Sequence, residues 1–172
     1  MIEGYFGLPG SGKTYFAVKE AKKRLDEGQT VVANFLLKGA KYFKGWREFS
    51  HYQNCTFIID EAGIWLNARK WSEIPESVLY RLMQSRKRKF DLIYTAQDPE
   101  MVEVTLRRLS NFYWHMRQFK KLRFHTATLW EPQNYRKERK KSIRREYFTI
   151  KPEIAELYDT EAIIDDPFLD KE

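Results

Sequence analysis

Short apolar runs recur along the chain, and each has the length of a single β-strand. They predict five strands, over residues 2–6, 30–35, 56–59, 92–96 and 111–119. Two later runs, over residues 124–130 and 145–150, predict a β-ribbon. No run approaches the roughly 20 apolar residues that a membrane-spanning helix requires, so no transmembrane segment is expected in this chain.

Apolar residues at helical spacing separate these runs. Residues 14–27 place four apolar side chains on one face, and Gly28 follows as a C-terminal cap. Two further helices are predicted over residues 76–89 and 98–109. Strands that alternate with helices predict an α/β fold with a mostly parallel sheet and helices on both faces. In such folds, ligands bind at the carboxyl ends of the strands.

The strongest chemical signal directly follows the first predicted strand and matches the phosphate-binding pattern G-x-x-x-x-G-K-[ST]. Its residues are Gly7, Leu8, Pro9, Gly10, Ser11, Gly12, Lys13 and Thr14. The glycines allow backbone N–H groups to surround a phosphate. Lys13 is predicted to reach the β- and γ-phosphates of ATP, and the Thr14 hydroxyl to hold Mg²⁺.

Two other predicted strands end in polar residues that suit nucleotide hydrolysis. Asp60 and Glu61 follow the strand 56–59. Asp60 is predicted to hold Mg²⁺ through its water shell, and Glu61 to polarise the attacking water. Gln97 follows the strand 92–96 and is predicted to sense the γ-phosphate. The ordinary alternatives are a solvated strand end for the two acids and a helix-capping turn at Gln97.

Two arginines are candidates for catalytic roles. At about 100° per residue, Arg86 falls in the middle of the apolar face of the helix 76–89, where a cation must be paired or functional. That predicted face consists of Val78, Leu79, Leu82 and Met83. Arg81 falls on the opposite, solvated face. Arg107 points away from the apolar face of the helix 98–109, which suits either a site in a neighbouring subunit or an ordinary surface charge.

The charge of the chain is unevenly distributed. The net charge is +7, which favours a polyanionic partner. Seven cations and one anion give residues 136–145 a charge of +6, whereas residues 153–172 carry eight carboxylates and one lysine. The basic segment predicts either contact with a polyanion or a solvated hairpin. The single cysteine, Cys55, excludes an intramolecular disulfide.

Beyond the phosphate-binding loop, the sequence resembles the zonula occludens toxin-like (Zot) ATPases, which include the gene I assembly proteins of filamentous phages. The residues that carry the resemblance are Asp60, Glu61, Trp65, Asn67, Arg69, Trp71, Ser85, Arg86, Lys87, Gln97, Asp98, Leu157, Tyr158, Asp159 and Thr160. This family is similar to the FtsK–HerA branch of RecA-like motors. The resemblance implies a three-layer P-loop NTPase with a C-terminal β-ribbon.

The resemblance also implies a function. It suggests a viral ATPase that drives DNA during genome packaging or phage export, with Lys13, Thr14, Asp60, Glu61 and Gln97 in the roles above. Arg69, Arg86 and Arg107 match arginines of the family, one of which acts in trans. The implied partners are viral DNA bound without sequence preference, further copies of the chain in a hexameric ring, and capsid or membrane-embedded viral proteins.

The expected location is the host cytoplasm, at the inner face of the membrane or at a virion vertex. The expected domains are an ATPase domain over residues 1–160, which includes the ribbon 124–150, and an acidic tail over residues 161–172. Two alternatives stay open: a small-molecule P-loop kinase with the basic segment as its lid, and a non-catalytic assembly factor gated by nucleotide. ATP hydrolysis that needs no phosphate acceptor and is stimulated by DNA would distinguish the DNA-moving ATPase from both the kinase and the assembly factor.

Overall fold

The computed structural model describes residues 1–135, 137, 140–159, 162–164 and 167. Within these residues the strands form one eight-stranded sheet in the order β3-β2-β4-β5-β1-β6-β7-β8. They are β1 (Ile2–Phe6), β2 (Thr30–Ala33), β3 (Lys41–Tyr42), β4 (Cys55–Ile59), β5 (Asp91–Ala96), β6 (Phe112–Phe119), β7 (Phe124–Trp130) and β8 (Arg144–Phe148). The pairs from β3 to β6 are parallel, and β7 and β8 are added antiparallel. The predicted ribbon therefore extends the main sheet.

Helices cover both faces of the sheet, which confirms the three-layer α/β fold. The α-helices are α1 (Lys13–Asp26), α2 (Trp46–Phe49), α3 (Ala62–Trp65), α4 (Glu76–Met83), α5 (Val104–Leu109) and α6 (Pro152–Ala155). Short 3₁₀ helices lie at Ala68–Glu73, Pro99–Met101, Lys120–Leu122 and Pro132–Asn134. In β4, Phe57 and Ile59 pack into the core on one face and Ile58 into the core on the other, as alternate residues of a strand must.

The helix α1 closely follows its predicted bounds. Ala17, Val18 and Ala21 are fully buried against the sheet. Just past the end of the helix, Gly28 has a φ of 78° and its N–H donates to the Leu25 carbonyl at 3.0 Å, so the left-handed cap suits glycine. Arg24, at the same end, donates to the Asp91 carboxylate at 2.7 Å and thereby ties the helix to β5.

The prediction for the helix 76–89 was wrong in its length and in its buried face. The helix ends at Met83, and Arg86 is exposed in the turn before β5. The buried arginine is Arg81, which is 3% exposed. Val78, Arg81 and Leu82 form the buried stripe of the helix at i, i+3, i+4 spacing. Compared with the predicted apolar face, this stripe is rotated away from Met83.

Aromatic rings explain how a cation occupies that buried position. The Arg81 guanidinium lies 5.4 Å from the ring centres of both Phe49 and Phe90. Its Nη1 donates to the Ser50 carbonyl at 2.9 Å. Burial lowers the pKa of Arg81, and nearby Arg88 lowers it further. The side chain thus fills an apolar position with its stem and two cation–π contacts.

The predicted helix 98–109 is interrupted. Asp98 caps a 3₁₀ turn by accepting from the Glu100 N–H at 3.0 Å. The chain then extends at Val102, which forms a β-bridge with Asn67. A second cap, Glu103, accepts from the Thr105 and Leu106 N–H groups at 2.6 and 3.1 Å and starts α5. Two caps within six residues divide the segment into two short helices.

The C-terminal part of the described chain returns to the sheet beside β2. Tyr158 forms an antiparallel bridge with Leu37, and the Lys38 N–H donates to the Leu157 carbonyl at 2.9 Å. In the basic segment, Arg136, Glu138 and Arg139 lie outside the described residues, as do Thr160 and most of the predicted tail 161–172. In the described part of the chain, no helix has the length and apolar character needed to cross a membrane.

Candidate active site

The phosphate-binding loop, residues 7–14, joins the carboxyl end of β1 to the start of α1. The Gly7 N–H donates to the Gln97 carbonyl at 3.2 Å, which fixes the loop to the end of β5. Gly12 has a φ of 89°, and a Cβ there would lie 3.2 Å from the rings of His125 and Phe148. The predicted loop therefore needs glycine at this position for its backbone conformation and for its packing.

Lys13 is 6% exposed and lies along the loop. Its Nζ donates to the Leu8 carbonyl at 3.2 Å. Burial lowers the pKa of Lys13, whereas Glu61 and Asp60 raise it. A bound phosphate would offer this ammonium group a charged acceptor in place of a neutral carbonyl, which is the role that the motif predicts.

Asp60 is the centre of a hydrogen-bond cluster at the carboxyl edge of the sheet. Its carboxylate accepts from the Thr14 hydroxyl at 3.0 Å and from the Thr95 hydroxyl at 2.6 Å. The Asn34 amide bonds both backbone groups of Asp60, at 2.8 and 3.0 Å. Burial raises the pKa of Asp60, and the two hydroxyl donors and Lys13 oppose that increase. Three separate segments, the start of α1 and the ends of β2 and β5, thus converge on Asp60.

These oxygen donors fit a Mg²⁺ ion. Among the described residues, no group of three or more His, Cys, Asp or Glu side chains could hold a metal ion alone. Mg²⁺ is usually bound by one or two protein oxygens together with waters and substrate phosphates. Thr14 and Asp60 provide that kind of incomplete ligand set, beside the loop that would hold the phosphates.

Glu61 has an unusual backbone conformation. Its φ of 50° and ψ of 51° are left-handed, which strains a residue that is not glycine. Its N–H donates to the Thr95 hydroxyl at 3.1 Å. Burial raises the pKa of Glu61, and the neighbouring Asp60 charge raises it further. A carboxylate with a raised pKa is a stronger base, as activation of a water requires.

A cavity of about 440 Å³ lies between the phosphate-binding loop and the two acids. Its lining includes Lys13, Thr14, Asp60 and Glu61, together with Gln118 of β6 and His125 of β7. The C-terminal segment contributes Tyr158 to the lining. Burial raises the pKa of Tyr158 to about 12, and the Asp60 charge contributes.

Sequence reasoning missed several residues of this site. Asn34 and Thr95 are buried polar residues near the ends of β2 and β5, and both bond Asp60. Their available signal was a polar residue at the carboxyl end of an apolar strand. His125 and Tyr158 gave no comparable signal, because only the folded chain brings them to the cavity.

The structure places the three remaining candidates differently. The Gln97 carbonyl accepts from the Gly7 N–H of the phosphate-binding loop, whereas the Gln97 side chain is exposed. Arg107 is partly buried on α5, and its carbonyl accepts from the Tyr113 hydroxyl at 3.2 Å. Arg86 precedes β5 and so lies at the amino edge of the sheet, opposite the phosphate-binding loop. Its catalytic role stays a prediction.

Comparisons with known proteins identify the family of this chain. The sequence model of the family described as Zonular occludens toxin (Zot) matches residues 35–163. The Gene 1 protein of Enterobacteria phage I2-2 is 26% identical over 125 residues, covering 56% of this chain and 34% of the relative. The chain therefore spans about a third of the length of that curated relative.

Two solved structures share the fold. The N-terminal domain of zonular occludens toxin from Neisseria meningitidis superposes with a TM-score of 0.65 at 21% identity, covering 92% of this chain and 98% of that domain. The genome packaging NTPase B204 from Sulfolobus turreted icosahedral virus 2, in complex with ATP-gammaS, has a TM-score of 0.58 at 12% identity. That match covers 87% of this chain and 98% of B204.

Proposed function

The chain belongs to the zonular occludens toxin (Zot) family, and from that premise we propose that it hydrolyses ATP to move DNA during phage assembly or genome packaging. The observation that carries the proposal is the convergence of Lys13, Thr14, Asp60 and Glu61 on one cavity at the carboxyl edge of the sheet. Parallel α/β sheets bind their ligands at this edge.

Each side chain has a separate task in this proposal. The backbone N–H groups of residues 7–14 and the Lys13 ammonium hold the phosphates. Thr14 and Asp60 orient the metal, and Mg²⁺ when bound neutralises charge that develops on the phosphates. Glu61 accepts a proton from the attacking water, and its raised pKa suits that step. Gln97, fixed to Gly7, senses whether the γ-phosphate is present.

Three observations support DNA as the moved substrate. The chain has a net charge of +7 with a concentrated basic segment. Its curated relatives are phage Gene 1 proteins, and a protein of similar fold is described as a genome packaging NTPase. Contacts dominated by phosphates would make this binding independent of sequence. Viral capsid or membrane proteins are the corresponding assembly partners, at the inner membrane face or a virion vertex in the host cytoplasm.

The proposal includes a ring of several copies, with six as the expected number. Among the described residues, the cavity is lined by Lys13 but by neither Arg86 nor Arg107. An arginine supplied by a neighbouring copy would add the missing cation during phosphate transfer. A head-to-tail contact of this kind generates a closed ring when its rotation closes.

The experiment is an ATPase assay with and without DNA, combined with mass measurement in solution. Parent protein is expected to hydrolyse ATP without a phosphate acceptor and to be stimulated by DNA. Lys13→Ala should abolish turnover, and Glu61→Gln should retain ATP binding but turn over poorly. Lys23→Ala, an exposed lysine of α1, is the matched control and should match the parent.

Three outcomes would contradict the proposal. Turnover at the parental rate by Glu61→Gln would refute the role of Glu61 in water activation. ATP binding by the parent without turnover would favour the nucleotide-gated assembly factor. Turnover that appears only with a small-molecule acceptor would favour the kinase.

A further inference from the structure

The antiparallel end of the sheet has one face packed beneath α1. Trp114, Ala127 and Phe148 point into the core there. Alternate residues of the same three strands therefore point to the opposite face. On that other face Arg117, Phe119 and Tyr147 are exposed, whereas His115, Thr126 and Thr128 are buried. Among the described residues, these alternate side chains line an open groove of about 550 Å³, which we call the β6–β8 groove.

The strand register arranges the side chains of the β6–β8 groove in rungs. The rungs, in order, are Phe119 with Phe124; Arg117 with Thr126 and Tyr147; His115 with Thr128 and Arg145; and, at the end, Trp130. Successive rungs are two residues apart, which is about 6.6 Å along a strand. Aromatic rings and cations thus share the groove over about 20 Å.

The aromatic side chains of the groove present ring surface to solvent. Phe119 is 41% exposed and Tyr147 is 66% exposed. The Phe119 and Phe124 rings are stacked with their centres 4.9 Å apart and their planes at 17°. The Phe124 and Tyr147 ring centres are 5.9 Å apart. Large rings that stay exposed in one concave patch are typical of a binding surface.

The cations of the groove are held in position. Arg117 Nε donates to His115 Nε2 at 3.0 Å, and Arg145 Nε donates to the Thr128 hydroxyl at 3.3 Å. Lys137 also lines the groove, whereas no acidic side chain does so among the described residues. The partner that complements this surface is negatively charged and carries flat apolar groups.

We propose that the β6–β8 groove binds single-stranded DNA, with bases stacked on Phe119 and Tyr147 and phosphates at Arg117 and Arg145. The inference rests on the proposed function and names the form of DNA that this surface takes. Stacking on a protein ring requires a base whose face is free, and the bases of a duplex are already stacked on each other. The aromatic rungs therefore favour a single strand over a duplex.

The test measures binding of a fluorescein-labelled thymidine oligonucleotide of about 20 residues by anisotropy. Tyr147→Ala should weaken binding about tenfold, and Tyr147→Phe should retain it because the ring remains. Tyr80→Ala is the matched control, since Tyr80 is 61% exposed on α4, outside the groove. Replacing both Arg117 and Arg145 by alanine should reduce the slope of log affinity against log salt by about 1.4.

The controls separate stacking from charge. Tyr147→Ala should leave the salt slope unchanged, and alanine at both Arg47 and Lys23, exposed cations outside the groove, should leave affinity and slope unchanged. A duplex and an RNA oligonucleotide are measured in parallel. Binding of the duplex as tightly as the single strand, with equal loss in Tyr147→Ala, would overturn the proposal. Tighter binding of RNA than of DNA would overturn it as well.

The remaining outcomes distinguish this inference from the proposed function. If the Tyr147 and arginine variants bind single strands like the parent while DNA still stimulates the ATPase, the groove is not the DNA site and the proposed function stands. If those variants change the mass in solution and leave DNA binding intact, the groove is a contact between copies. If the parent neither binds DNA nor hydrolyses ATP, the proposed function fails first.

Discussion

Replacing Thr95 by valine tests whether the hydrogen-bond cluster around Asp60 has the role assigned to it. The Thr95 side chain is fully buried in β5. Its hydroxyl donates to the Asp60 carboxylate at 2.6 Å and accepts from the Glu61 N–H at 3.1 Å. Valine keeps the shape and the β-branch but removes both hydrogen bonds.

The magnitude of the effect depends on the charge of Asp60. A hydrogen bond to a buried carboxylate contributes about 1.5–3 kcal/mol, whereas one to the protonated acid contributes about 1 kcal/mol. Thr95→Val should therefore destabilise the protein by about 2–4 kcal/mol where Asp60 is ionised, including the unpaired Glu61 N–H. The loss should shrink by about 1–2 kcal/mol where Asp60 is protonated.

The sign of the pH dependence follows from the raised pKa of Asp60. Between its ordinary value of 3.8 and the raised pKa in the fold, the folded state binds more protons than the unfolded state. The contribution of Asp60 to stability consequently falls as the pH rises through this window. Thr95 is one of the groups that oppose the increase. Its removal should raise the pKa of Asp60 further and extend the window upward.

Urea unfolding at neutral pH and near pH 4 measures the effect. Thr56→Val is the matched control: Thr56 is buried in β4 and accepts from Arg24 Nη1 at 2.9 Å, away from the nucleotide site. Its loss should be similar at both pH values. Equal losses at both pH values for Thr95→Val would refute the reasoning.

Three further predictions follow from the geometry. Gly12→Ala should lose nucleotide binding in a fluorescence titration, because the new Cβ meets two rings at a left-handed backbone position; unchanged affinity would contradict this. Mixing Arg107→Ala with Lys13→Ala subunits should restore part of the ATPase if Arg107 acts in trans, and no rescue in confirmed rings would exclude that role. Arg81→Met should raise the free energy of unfolding, measured by urea denaturation, by about 1 kcal/mol, since it removes a buried cation. A lower free energy of unfolding would show that the cation–π contacts outweigh the cost of desolvation.

The residues of the candidate site that the sequence could indicate are those with local signals. The phosphate-binding loop is a contiguous motif, and Asp60 with Glu61 directly follows an apolar strand. Asn34 and Thr95 were missed because their role depends on which strands are neighbours in the sheet. β2, β4 and β5 are neighbours in the sheet, and this order brings Asn34 and Thr95 to Asp60. No single segment of the sequence encodes the order of the strands.

The errors on α4 and α5 have a different origin. In a short helix, apolar residues alone do not determine which face is buried. Leu79 and Met83 suggested a buried face that the fold leaves partly exposed. Arg81 replaced them in the core through contacts with two aromatic rings. On the next segment, Glu103 was not recognised as a cap, since a glutamate in a helical pattern is usually an ordinary helix residue.

The parallel sheet also ranks the candidate trans-acting arginines. All its parallel strands end at the edge that carries Asp60 and Gln97, whereas Arg86 precedes β5 at the other edge. Six residues of strand separate the two edges, or about 20 Å, so Arg86 cannot reach the phosphates of its own copy. Arg107 lines an open cavity together with Asp98, the residue after Gln97, and therefore lies nearer the catalytic edge. A neighbouring copy that packs head-to-tail over this cavity would place the phosphates of its nucleotide close to Arg107. Arg86 would require a neighbour at the opposite edge of the sheet. The geometry thus favours Arg107 over Arg86 as the candidate trans-acting arginine, and mixing Arg107→Ala with Lys13→Ala subunits tests that role.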